Sequence, residues 1–166
     1  VFGLLETTKA ILPHFRANKS GVIVNISSIG GKMTFPLGTL YHGTKFAVEG
    51  LSEALHFELE AIGVKVKIVE PGMIKTDFGG RSFDFSNDTT LTEYQAMVEK
   101  LMAAFGAAAH GGSSPDVVAE VILQAATDGT DQLRYTAGED AKVFMANRKA
   151  ADDATFIQGV KAQMGL

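Results

Sequence analysis

Apolar positions along this chain follow two periods, and the alternation between them predicts the order of elements. Residues 1 to about 18 carry Leu4, Thr8, Ile11 and Phe15 at helical spacing. Pro13 falls inside that pattern, so a kink or loosened turn is expected there. After the turn "NKSG", the run "VIVNIS" (22 to 27) is short, β-branched and apolar, which predicts a buried parallel strand. "SIGGKMTFPLGTL" (28 to 40) is a loop punctuated by glycine and proline. The period then returns to helical from about 42 to 61, with Leu51, Leu55 and Leu59 on one stripe, Ala47, Gly50 and Ala54 on another, and Gly63 as a stop. "VKVKIVE" (64 to 70) is a second strand, closed by Pro71-Gly72.

The second half is less regular. Residues 77 to 90 form a polar loop. A helix near 91 to 105 places Leu91, Tyr94, Val98, Leu101 and Phe105 on one face. "GAAAHGGSS" is expected to be flexible. Ser114 suits an N-cap with Pro115 at the first helical position, opening a helix to about Asp128. "LRYTAG" (133 to 138) is a short strand, followed by one or two helices. Strand and helix alternate, so the fold class is α/β with a parallel sheet, and no internal repeat interrupts it.

Composition narrows the function classes. The chain has 166 residues, 46% of them hydrophobic and 20% charged, which suits one globular domain. The net charge of -4 and the lack of any basic run argue against nucleic acid or an anionic membrane as partner. With no cysteine, disulfides, thiolate catalysis and Cys-based zinc sites are excluded. His14, His42, His56 and His110 are scattered without metal-site spacing, so no metal is expected. No apolar run approaches the roughly 20 residues of a membrane span. No signal peptide is visible, and a cytoplasmic location is expected. The chain opens on Val1 inside a helical pattern, so it is expected to be part of something longer.

The candidate chemistry centres on "YHGTK" (41 to 45). On a helix, Tyr41 and Lys45 share a face. An ammonium beside a phenol favours the phenolate. Bringing a phenol from about 10 to neutrality takes about 4 kcal/mol of differential stabilisation, to which a helix N-terminus also contributes. Such a group is a general acid/base suited to neutral pH. The same spacing also fits a solvated helix start. Ser28 closes the first strand 13 residues before Tyr41, and its hydroxyl could bond the same substrate oxygen. Pro71-Gly72 closes the second. Ligands of open parallel sheets bind beyond the carboxyl ends of the strands, where all three features would meet if the strands are neighbours. Each also has a plain reading, Ser28 as a turn residue and Pro71-Gly72 as a strand stop.

"VNISSIGG", "YHGTKFAVEGLSEAL" and "VKIVEPGMIKTDF", in this order and spacing, resemble the catalytic half of a short-chain dehydrogenase/reductase. The likeness is strong over residues 1 to about 80. Beyond that, "LRYTAGEDAK" (133 to 142) is similar to the bacterial branch related to 17β-hydroxysteroid and retinol dehydrogenases.

The resemblance implies the C-terminal portion of a Rossmann-like, doubly wound sheet and an oxidoreductase that interconverts a carbonyl and an alcohol. Tyr41 would be the proton donor or acceptor, Ser28 would orient the substrate oxygen, and Lys45 would tune the tyrosine and bond the nicotinamide ribose. Pro71, Gly72, Ile74 and Thr76 would line the nicotinamide carboxamide and pyrophosphate of NADP or NAD. The family's Gly-rich turn (T-G-x-x-x-G-x-G) is absent from these residues, and its catalytic Asn would fall before Val1. An N-terminal dinucleotide-binding half is therefore expected outside residues 1 to 166.

The apolar face near 91 to 105, with Phe78, Phe83 and Phe85 before it, points to a small hydrophobic carbonyl or alcohol as substrate. The helices near 2 to 18 and 42 to 61 correspond to the family's dimer elements, so a homodimer or homotetramer is expected. Two other readings stay open: a non-catalytic folding or dimerisation module, and a relative that keeps the cofactor for epimerase or dehydratase chemistry.

Overall fold

The computed structural model describes residues 1–80 and 82–166, without the side chains of residues 108–110. Arg81 of the expected polar loop and the His110 side chain thus lie outside the described residues. Strands β1 (Gly21–Ile26), β2 (Val64–Pro71) and β3 (Arg134–Ala137) form one sheet in the order β1-β2-β3. Both pairings are parallel, with Val24 opposite Lys67 and Val69 opposite Tyr135. Each parallel step is bridged by a helical crossover, which is what parallel pairing requires. Helix α1 (Phe2–Asn18) precedes β1, α2 (Thr39–Glu60) joins β1 to β2, and α3 (Thr92–Gly111) and α4 (Pro115–Thr127) join β2 to β3. Helices α5 (Glu139–Ala150) and α6 (Asp153–Met164) end the chain.

Strand alternation divides the core between the two faces of the sheet. On one face Ile23, Val64 and Val66 pack with Leu12 and Phe15 of α1 and Leu55 and Leu59 of α2. On the other, Val24, Val69, Tyr135 and Ala137 pack with Val118, Val121, Ile122 and Ala125 of α4. A third cluster, Ile29, Met33 and Ala141 with Phe35, Phe144 and Phe156, ties the loop after β1 to α5 and α6.

Two expectations need correction. The inward stripe of α1 runs through Thr8, Leu12 and Phe15, while Ile11 is 37% exposed. Helix α1 runs through Pro13 to Asn18. The "GAAAHGG" segment is not a flexible linker: α3 runs on through it to Gly111, because three successive alanines are strong helix formers. Ser114 caps α4 as expected, its hydroxyl accepting from the Asp116 N–H. Among the described residues no helix is long and apolar enough to cross a membrane, and no group of three or more acidic or histidine side chains could hold a metal ion.

Candidate active site

The carboxyl end of β1 supplies the first element of the site. After Ile26 the chain stays extended through Ser28, whose Oγ accepts a hydrogen bond from the Gly30 N–H at 3.0 Å. That bond starts a single 3-10 turn, Ile29–Gly31. The Ser28 hydroxyl keeps its own proton to donate.

The turn lies against the first turn of α2. A Cβ at Gly30 would stand 3.0 Å from both Tyr41 Cε1 and His42 Nδ1, a contact so tight that any larger residue would press the two rings back. His42 is buried, and sequence reasoning missed its part. Its Nε2 accepts from the Phe35 N–H at 3.0 Å, so its Nδ1 carries the hydrogen and donates to the Gly30 carbonyl at 2.8 Å. One side chain thereby fastens both arms of the loop after Ser28 to the helix bearing Tyr41.

Tyr41 is the third residue of α2 and is 37% exposed. Its ring meets His42 and Phe78 edge-on, at centroid distances of 5.5 and 5.9 Å. One turn on, Lys45 donates from Nζ to the Ile26 carbonyl at 3.2 Å and stands 5.8 Å from the Tyr41 ring centroid. Burial lowers the Lys45 pKa from its ordinary value. Ser28, Tyr41 and Lys45 are thus gathered at the end of β1.

Beside them, β2 ends at Pro71 and the following turn is held on two sides. Gly72 N–H donates to the Ala137 carbonyl (3.0 Å), and Met73 N–H to Asp140 Oδ2 (2.7 Å). Ser113 N–H donates to the Met73 carbonyl (2.8 Å) and its own carbonyl accepts from Lys75 N–H (2.9 Å). This bridge uses the residues on either side of Ile74, so the N–H and C=O of Ile74 point away from Ser113. Thr76 Oγ1 accepts from the Phe78 N–H at 3.2 Å and caps a second 3-10 turn, Asp77–Gly79.

From Phe78 a series of rings leads to α3. Phe78 and Phe83 are 6.4 Å apart, Phe83 and Phe85 stack at 5.7 Å, and Phe83 stacks on Phe105 at 5.8 Å. The expected apolar stripe of α3 is divided: Leu101 is buried, whereas Leu91 and Tyr94 are nearly half exposed.

Below the site lies an ionic cluster that the strand and helix patterns did not reveal. Glu70 of β2 and Glu49 of α2 are both buried. Arg134 of β3 donates from Nε to Glu49 Oε2 at 2.9 Å, stands 3.5 Å from Glu70 Oε1, and bonds Glu53 through its second nitrogen. Burial, followed by the Glu49 charge, pushes the Glu70 carboxyl up to about 7, against the pull of Arg134. The one local signal was Glu49 and Glu53 at i, i+4, facing an arginine distant in sequence.

The order of these elements and their motifs define a class. The family model for short chain dehydrogenases matches residues 1–87, and the chain belongs to that family. Two uncharacterized oxidoreductases of Schizosaccharomyces pombe are each 49% identical to it, over the whole of this chain and 69% of their own length. A short-chain dehydrogenase from Streptomyces avermitilis has a similar structure, with 32% identity, a TM-score of 0.74, and coverage of 99% of this chain and 59% of that one. A 3-oxoacyl-[acyl-carrier protein] reductase of Brucella melitensis with bound NAD is similar over 83% of this chain and 48% of its own, at 26% identity and a TM-score of 0.57.

Proposed function

We propose that the protein to which these residues belong is an NAD(P)-dependent oxidoreductase that interconverts a carbonyl and an alcohol, with Tyr41 as proton donor and acceptor. The observation that carries this reading is Lys45 standing over the Tyr41 ring while bonded to the Ile26 carbonyl at the carboxyl end of β1, with Phe78, just past the Pro71–Thr76 turn, against the same ring. Ligands of open parallel sheets bind at that end, and the similar Brucella melitensis reductase has NAD bound.

The residues present fit the nicotinamide half of a dinucleotide. Lys45 spends one proton on Ile26 and has two more to donate to a ribose. Ile74 offers a backbone donor and acceptor, the complement of a carboxamide, and the Thr76 hydroxyl retains a proton. When bound, NADPH or NADH supplies the hydride, because no side chain can. In the reductive direction the Tyr41 hydroxyl gives its proton to the carbonyl oxygen, while Ser28 donates a hydrogen bond that fixes that oxygen. Lys45 stabilises the resulting phenolate by charge.

The rings from Phe78 to Phe105, beginning against Tyr41, favour a small hydrophobic substrate, held by apolar surface rather than by paired polar groups. The test is a spectrophotometric screen of the full-length protein with NADPH and NADH against ketones and aldehydes. Turnover is expected with apolar carbonyls such as steroid-like, retinoid-like or medium-chain aliphatic compounds. A preference for sugars or charged metabolites contradicts the substrate class, and no turnover or dinucleotide binding contradicts the reading itself.

A further inference from the structure

Every backbone hydrogen-bonding group of Met73 is held from outside its turn. The carbonyl is taken by Ser113 and the N–H by the carboxylate of Asp140, 67 residues later in the chain. Asp140 is the second residue of α5, where an acidic side chain ordinarily spends its oxygens on the helix's own free N–H groups. This one does not. The N-cap of α5 is Gly138, which makes no side-chain cap bond, and Asp140 reaches across to the neighbouring strand end instead.

The fit is close. A Cβ on Gly72 would lie 2.3 Å from Asp140 Oδ2, and one on Gly138 would lie 2.6 Å from Asp140 Oδ1. The carboxylate is wedged between two glycines, and Oδ1 is buried without a hydrogen-bond partner. Leaving a carboxylate oxygen unpaired costs stability, so packing alone gives no reason for an acid here. The Met73 bond does. At 2.7 Å it has the length of a charge-assisted hydrogen bond, and it orients the Gly72–Met73 peptide plane. With Met73 fixed through its N–H and its carbonyl, the free N–H and carbonyl of Ile74 have one direction available.

We propose that Asp140 is a positioning residue for the dinucleotide: through Met73 N–H it sets the path of the Pro71–Thr76 turn, and Gly72 is the residue that makes room for it. The β3–α5 corner is then part of the cofactor site although it lies far from the catalytic motifs in sequence. This rests on the function proposed above. Loss of Asp140 frees a peptide plane next to a glycine, the residue with the widest conformational range, and weakens cofactor binding without touching the reacting atoms.

The experiment compares Asp140→Ala and Asp140→Asn with the wild type in the full-length protein. It reads cofactor KM and kcat with NADPH and NADH, and hydrogen exchange over residues 71–75. Asp140→Ala is expected to raise cofactor KM roughly tenfold or more, with kcat at saturating cofactor within about threefold of wild type and faster exchange at Met73. Asp140→Asn keeps an acceptor oxygen and should recover most of both. If Asp140→Ala does not fold, Asp140→Ser supplies the same readouts, since its hydroxyl sits where the carboxyl carbon was and falls short of the Met73 N–H. An unchanged KM together with unchanged exchange at Met73 overturns the proposal. A wild type that binds neither dinucleotide overturns the function reading instead. The exchange measurement then still decides whether Asp140 holds the turn.

Discussion

Two ionisable residues, the half-buried Lys45 and the buried Glu70, give the site its expected response to pH. Burial lowers the Lys45 pKa, so its charge is lost at a lower pH than an exposed lysine's. Reductase activity should therefore decline on the alkaline side before the ordinary lysine range is reached, and Lys45→Met should lose most of the activity at every pH. A pH–rate profile of the wild type that stays flat through pH 10 or so would contradict this role. Glu70 has the opposite displacement, from 4.5 for a free side chain to about 7 in the fold. The folded state holds its proton more tightly than the unfolded chain. The contribution is thus full below about 4.5 and lost as pH rises through about 7. Glu70→Gln should remove that dependence, so the variant gains on the wild type between pH 5.5 and 8 when melting temperatures are compared; a constant difference would show that the proton is not there. The spacing of Ser28, Tyr41 and Lys45 was legible in sequence because it is set by one loop and one helical turn. Glu70, Arg134 and Asp140 were not: each acts through a partner 60 or more residues away, and local pattern carries no record of such pairs.

Elements were legible where one period dominates. Strands β1 and β2 and helix α4 stand within a residue or so of expectation, because β-branched runs and a Ser-Pro cap leave few alternatives. Helix α2 begins at Thr39, about a turn ahead of the start expected near residue 42. The error at α3 has a definite cause: Gly106 reads as a stop, but the surrounding alanines outweigh one glycine. Among the described residues, a Cβ there would meet nothing within 4 Å. Gly106→Ala should therefore stabilise the protein by roughly 0.5–1 kcal/mol. A loss of stability in denaturant unfolding would mean that this stretch is not helical.

At the scale of the molecule, two apolar faces are exposed. The outer side of α2 exposes Phe46, Gly50, Ala54 and Phe57, four residues spaced along one helical face. That face suits a homodimer, or a tetramer of dimers, built by helix-on-helix packing. Light scattering at micromolar concentration should show an oligomer, and Phe57→Glu should shift it towards monomer; a monomeric wild type contradicts the proposal. The edge strand β1 exposes Val22 and Ile26, and residues 1–166 contain no Gly-rich dinucleotide turn. A polypeptide limited to these residues should bind NADPH only weakly by calorimetry, and micromolar affinity would show that the turn is dispensable. The central claim, that a phenol at the end of β1 transfers the proton, is tested most directly by Tyr41→Phe in the full-length protein. The variant loses one hydroxyl and should fold and bind dinucleotide as before. Its turnover, measured with a carbonyl that the wild type reduces, should fall by roughly 10²-fold or more; retained wild-type turnover would contradict the account.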